Sequence, residues 1–242
     1  MKRFGASIAA AILVLFSACA PADTEPGVVT AEGAEAVPSR TATDWVTYGD
    51  HLVVIDVKSE ERLEATKEEV ERGEGFIGRE VTVELGDPLW TRPTYQELSE
   101  LPTRLAIANG GWVFHGKEEQ RWEVENQVRL TPGSQYLAML TYGDTSIAGG
   151  DGSDGPSWFT LDVVPLTTDD TVADTGADPA SYPMRRSLVG LTSKEVAATL
   201  KATKPDPAAQ DYMDEDPVQR YQDVARDADA TNPPEPGPGE KR

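Results

Sequence analysis

Strict two-residue alternation is the feature that most constrains how this chain can fold. In the segment 79–87, REVTVELGD, the apolar residues Val81, Val83 and Leu85 alternate with the polar residues 80, 82 and 84, which is typical of a strand with one buried face. The segments 51–59 (HLVVIDVKS) and 103–114 (TRLAIANGGWVF) also have strand character, the latter with a bulge or a break at Gly110-Gly111. Residues 134–143 (SQYLAMLTYG) are apolar on both faces, as expected of a central strand, and 157–166 (SWFTLDVVPL) alternate again.

Helix signals are fewer. Thr192 and Glu195 have the spacing of a capping box, which predicts one helix before Pro205. Residues 60–75 predict a solvated helical excursion closed by Gly73 and Gly75. Five or six short strands without βαβ alternation favour a mainly β fold, a small antiparallel OB-like β-barrel with one C-terminal capping helix. A β-sandwich is the main alternative.

The two ends of the chain have the composition of unfolded segments. Residues 20–43 lack aromatic residues and predict a flexible linker. Residues 204–242 predict a disordered, acidic, Pro-rich tail, in which a short helix around 218–228 with a thin apolar face is the alternative. The barrel domain is therefore expected over residues 44–203.

Cys19 is the only cysteine of the chain, and it follows a short cationic start and an apolar run. This order predicts a signal peptide over residues 1–18, too short in its apolar part to span a bilayer. Ser17-Ala18-Cys19 resembles the bacterial lipobox, with Phe16 where that pattern has an aliphatic residue. We expect Cys19 to carry lipid and to anchor the protein to the extracytoplasmic face of the cell membrane. An ordinary signal cut near Ala20 or Ala22 is the alternative.

The formal net charge of the 242-residue chain is -20. A field of this sign repels phosphate backbones, so nucleic acid is not an expected partner. An envelope protein or a small ligand remains an expected partner.

The segments 68–93 (EEVERGEGFIGREVTVELGDPLWTRP), 110–114 (GGWVF) and 130–140 (LTPGSQYLAML), in this order, carry a family resemblance. Over about residues 45–203 the chain resembles an uncharacterised family of actinobacterial secreted or lipid-anchored proteins, which implies no particular activity. The barrel is also distantly similar to netrin-like domains such as metalloproteinase inhibitors. Those act through a disulfide-bonded N-terminal cysteine, for which Cys19 has no partner, so the similarity implies a fold only.

Signals for catalysis are weak. His51 and His115 lack the spacing of a transition-metal site, and no cofactor is expected. Three aspartates around a Gly-rich loop, Asp144, Asp151 and Asp154, are weak candidates for binding calcium, but a solvated hairpin loop explains them better. The sequence therefore predicts a non-enzymatic binding or interaction role. A secreted hydrolase that uses Asp or Glu, with calcium, is the alternative.

Tryptophans are the strongest candidates for a binding surface. Four of them lie near expected strand ends or loops: Trp90, Trp112, Trp122 and Trp158. They either fill the ends of a small barrel or form an aromatic rim that docks a partner or sugar. Trp112 is expected to be a buried plug.

Overall fold

The computed structural model describes residues 27–33, 37–93, 98–144, 156–176 and 180–231. Eight strands in this part of the chain form one sheet: β1 (Val28–Ala31), β2 (His51–Arg62), β3 (Glu74–Leu85), β4 (Trp90–Thr91), β5 (Arg104–His115), β6 (Glu118–Val124), β7 (Gln135–Asp144) and β8 (Pro156–Pro165). Five α-helices and a 3₁₀ helix accompany them: α1 (Ala42–Tyr48), α2 (Lys67–Arg72), α3 (Pro183–Leu188), α4 (Ser193–Ala202), the 3₁₀ helix Pro207–Tyr212, and α5 (Pro217–Thr231).

The strand order is β1-β6-β5-β3-β2-β7-β8, with β4 paired to β2 outside this path. All neighbours pair antiparallel except β1, which runs parallel to β6. The sheet is curled into a half-barrel. The prediction of a mainly β fold is confirmed, but the finer prediction of a small, strictly antiparallel OB-like barrel is wrong. Because β1 adds a parallel edge strand, the sheet is mixed.

Two hydrophobic clusters cover the two faces of the sheet. The inner cluster lies in the concavity of the half-barrel, across which β5 and β8 approach each other. It unites alternate residues of neighbouring strands, among them Val53, Ile55, Val81, Val83 and Leu140. The outer cluster joins Leu52, Leu137 and Met139 of the sheet to buried residues of α1, α3 and α4. The strand β7 thus has apolar residues buried on both faces, as its sequence predicts for a central strand.

Local signals in the sequence explain the helix boundaries. The predicted capping box of Thr192 and Glu195 is present at the start of α4, whose Val196 and Leu200 are buried in the outer cluster. The predicted excursion is the helix α2, which also starts with a capping box and ends at Gly73. Gly73 has a φ of 77°, a left-handed conformation that favours glycine. Residues 60–62 and 74–75 of the predicted excursion belong instead to β2 and β3.

The predicted boundaries of the flanks need correction. The sequence predicts a flexible linker over residues 20–43, but β1 is part of the sheet and Val37 is buried against Tyr48 and Val218. It also predicts disorder from residue 204 onward, yet the described residues there include the 3₁₀ helix and α5, which packs against α1 and β7. Residues 1–26, which include Cys19, and residues 232–242 lie outside the described residues.

Candidate interaction surface

The five tryptophans fall into two groups. Trp45, Trp90 and Trp158 are buried, the first two in the outer cluster and Trp158 in the inner one. The indole N–H of Trp158 donates to the carbonyl oxygen of Glu100 at 3.1 Å. Trp90 and Trp158 are therefore core residues, in line with the first of the two alternatives that the sequence leaves open and not with a binding rim. Trp112 and Trp122 are only partly buried, and they lie on the neighbouring strands β5 and β6.

An apolar surface surrounds Trp122 on the outer side of the sheet. Leu63 is 43% exposed and Phe76 is 37% exposed. The rings of Phe76 and Trp122 meet edge to face, with centroids 5.1 Å apart. We call the group formed by Leu63, Phe76, Val113 and Trp122 the distal apolar surface; Phe76 pairs with Val113 across β3 and β5.

A pair of glycines gives this surface its shape. Gly78 and Gly111 face each other across β3 and β5. A Cβ atom on Gly78 would lie 3.1 Å from the Leu63 side chain, and one on Gly111 would lie 2.6 Å from the Phe76 ring. The two apolar side chains therefore fold over the glycines and lie against bare backbone. The sequence predicts a bulge or a break at Gly110-Gly111. It contains no local signal that connects Gly78 and Gly111 with the Phe76 ring.

Trp112 belongs to the opposite face of the same strands, because it pairs with Ile77 and Arg121 rather than with the glycines. The guanidinium carbons of Arg62 and Arg129 lie 4.2 and 5.5 Å from its ring centroid. Such cation–π contacts stabilise an aromatic ring at the edge of a core. Trp112 is thus neither a fully buried plug nor an open stacking platform.

Buried arginines organise the irregular parts of the chain, and no sequence motif predicted them. Arg79 is bound to the Glu60 carboxylate, to Asn109 and to the carbonyl oxygen of Leu130. Burial, and after it the charge of Arg79, lowers the pKa of the neighbouring Arg129. A second buried arginine, Arg185, binds the carboxylate of Asp162. These contacts fix loops to the sheet.

The buried aspartates are paired with arginines, and Asp223 also forms a hydrogen bond with the Glu215 side chain. The three buried aspartates of the described chain, Asp50, Asp162 and Asp223, each form an ion pair with an arginine. Burial and the adjacent Asp223 raise the pKa of Glu215, but neither residue lines either of the two polar clefts beside the turn after β6.

Two polar clefts lie beside the turn after β6. One has a volume of about 340 Å³ and is lined in part by Arg129, Tyr136 and Arg185. The other has a volume of about 260 Å³ and is lined in part by Arg40, Glu32 and Glu125. Asn126 lines both clefts. The guanidinium of Arg185 is already bound to Asp162 and to the carbonyl oxygen of Asn126, so its charge is balanced within the protein.

The candidate metal ligands are dispersed. His51 is buried, its Nδ1 lies 3.0 Å from the Thr91 hydroxyl, and burial lowers its pKa. His115 lies at the exposed end of β5, 3.5 Å from Glu74. Among the described residues no group of three or more His, Cys, Asp or Glu is placed to hold a metal ion.

The calcium hypothesis stays a prediction. Asp144 ends β7, while Asp151 and Asp154 lie outside the described residues.

Comparison of the chain with protein-family models, with curated proteins and with solved structures found no match. Within the described residues, no helix is long and apolar enough to cross a membrane.

Proposed function

We propose that this protein is a lipid-anchored component of the cell envelope with a non-catalytic binding role, and that the distal apolar surface is its binding site. The observation that carries the proposal is the exposure of Leu63 and Phe76 beside Trp122 on one side of the sheet. Exposed aromatic and aliphatic side chains that lie together are typical of protein interaction sites.

The environment of the carboxylates supports binding over hydrolysis. A general acid needs a carboxyl group whose pKa is raised in a substrate cleft. The buried Asp50 and Asp162 instead form ion pairs with Arg92 and Arg185, and neither aspartate lines either of the two polar clefts. The larger of the two polar clefts is lined by Arg129 and Arg185 and, among the described residues, by no carboxylate. The smaller one combines the glutamates Glu32 and Glu125 with Arg40.

The anchor is tested separately from the binding site. Metabolic labelling with an alkyne fatty acid should mark the wild-type protein, and Cys19→Ala should abolish the label. Equal labelling of the two proteins would refute the anchor.

The binding role is tested by capture from native membranes followed by mass spectrometry. A partner retained by the wild type should be lost by Phe76→Ser and kept by Tyr221→Ser. Tyr221 is a matched control because it is also 37% exposed but lies on α5. Equal retention by both variants would refute the assignment of the site.

A further inference from the structure

The distal apolar surface lies where the helical cover of the outer face ends. The helices α1, α3 and α4 contribute to the outer cluster over β2, β7 and β8. Phe76 and Trp122 lie on β3 and β6, and Leu63 directly follows β2, with its backbone N–H bonded to the carbonyl oxygen of Gly78 on β3. The distal apolar surface therefore lies on the part of the sheet formed by the far end of β2 and by β3, β5 and β6. Among the described residues, the helices of the outer cluster do not extend over this half of the face, which is therefore open to a partner.

The border of this surface is acidic. Glu61 pairs with Glu80 across β2 and β3, next to Leu63 and Gly78. Residues 60–74 contain seven glutamates against three lysines or arginines, a net charge of -4. The whole chain carries a net charge of -20, so the long-range field has the same sign.

From this combination of apolar centre and acidic border we infer that the distal apolar surface binds a cationic amphipathic segment of a partner protein. Apolar side chains of the segment would cover Phe76 and Trp122, while its lysines or arginines would face Glu61 and Glu80. This inference rests on the proposed function and specifies its partner. An anionic bilayer or a second copy of this acidic chain is disfavoured by charge repulsion.

The position of β1 limits where that partner can be. Val29 of β1 pairs with Trp122, so the start of the sheet lies beside the distal apolar surface. Val28 follows Cys19 by nine residues, and an extended chain spans at most about 3.6 Å per residue, which allows about 30 Å. With Cys19 in the membrane, Val28 lies within about 30 Å of the bilayer, so the distal apolar surface is within reach of a segment that a membrane-associated protein presents.

The test measures binding of the purified full chain to a fluorescently labelled peptide of leucine and lysine, by anisotropy at about 0.15 M salt. We expect Phe76→Ser to weaken binding by about tenfold or more, since an apolar contact is lost. Glu61→Lys should also weaken binding, because it reverses a charge at the border. The matched controls are Tyr221→Ser and Asp169→Lys, two exposed positions elsewhere, which should leave the affinity unchanged.

Loss of binding in the two surface variants alone supports the inference. Absence of wild-type binding or equal affinity in all variants would overturn it, and so would equal binding of a leucine–glutamate peptide. Concentration-dependent dimers that disappear in Phe76→Ser would overturn it in favour of a second copy. Circular dichroism checks the fold, and Glu61→Lys keeps the test decisive if Phe76→Ser does not fold. Because fatty-acid labelling of Cys19 is measured independently, its failure is distinguishable from failure of peptide binding.

Discussion

Replacing Arg220 with methionine tests whether the C-terminal helix is an integral part of the fold. Arg220 is fully buried, and its guanidinium donates hydrogen bonds to four backbone carbonyl oxygens, those of Thr47, Tyr212, Met213 and Glu215. These bonds join α5 to α1, to the end of the 3₁₀ helix and to the loop that precedes α5. Methionine retains much of the apolar volume but donates none of them.

Two opposing terms set the expected loss of stability. Hydrogen bonds to a charged group each contribute about 1.5–3 kcal/mol, so four of them would contribute roughly 6–12 kcal/mol. Burial, reinforced by repulsion from Arg92, lowers the pKa of Arg220 to about 10. That shift corresponds to a cost of roughly 3 kcal/mol for keeping the charge buried, which the methionine variant avoids. In the methionine variant, the four carbonyl groups can bind water if α5 separates from the rest of the protein, which reduces the loss of stability further. We therefore expect Arg220→Met to lower the free energy of unfolding by about 3–5 kcal/mol.

Urea denaturation followed by tryptophan fluorescence measures the global change, and hydrogen exchange of the α5 amides measures local detachment. Arg72→Met is the matched control, because Arg72 is exposed and lies on α2, a helix without buried residues. The control should change stability by less than about 0.5 kcal/mol. If Arg220→Met also left the urea midpoint and the α5 protection unchanged, the buried-arginine account would be refuted.

Three further substitutions test Trp112, the glycine under the distal apolar surface, and the capping box of α2. Trp112→Ala should cost about 1–3 kcal/mol in urea denaturation, less than the roughly 3–5 kcal/mol expected for the fully buried Trp45→Ala; equal costs would show that Trp112 is a core plug. Gly111→Ala should cost about 1–3 kcal/mol because its Cβ would displace the Phe76 ring and the backbone at Ile77, and an unchanged urea midpoint would contradict this. Partial burial raises the pKa of Glu69, but hydrogen bonds from Thr66 and Phe76 outweigh it and the net pKa is lowered. The stabilisation by Glu69 is therefore complete above the ordinary pKa of 4.5 and lost as the pH falls through the lowered value. Glu69→Gln should remove that acid-side dependence from a series of urea midpoints, and the same dependence in both proteins would count against it.

The local elements were accessible from sequence because their signals are local. Alternation around Val81 and Val83 requires only that one face be buried, and both residues are indeed in the inner cluster. The capping box of Thr192 and Glu195 acts within one helical turn, so its spacing predicted the start of α4.

Strand β8 shows where alternation fails. The sequence places Phe159, Leu161 and Val163 on one side, but the pairing of β7 with β8 shifts register between Met139 and Leu140. Val163 consequently joins the inner cluster, whereas Leu161 packs against the outer one. A single irregularity in pairing exchanges the faces of all later residues, and that irregularity depends on the partner strand.

The sequence by itself determined the strand periodicity, the capped helix and the acidic charge, because each follows from neighbouring residues or from composition. Only the tertiary structure decided the faces of the tryptophans and the fate of the C-terminal segment. The composition around Arg220 favours disorder, yet carbonyl groups distant in sequence, including that of Thr47, accept its hydrogen bonds. Ordering this segment costs conformational entropy, and these long-range contacts offset that cost. A prediction from local composition cannot include them, because it considers only neighbouring residues.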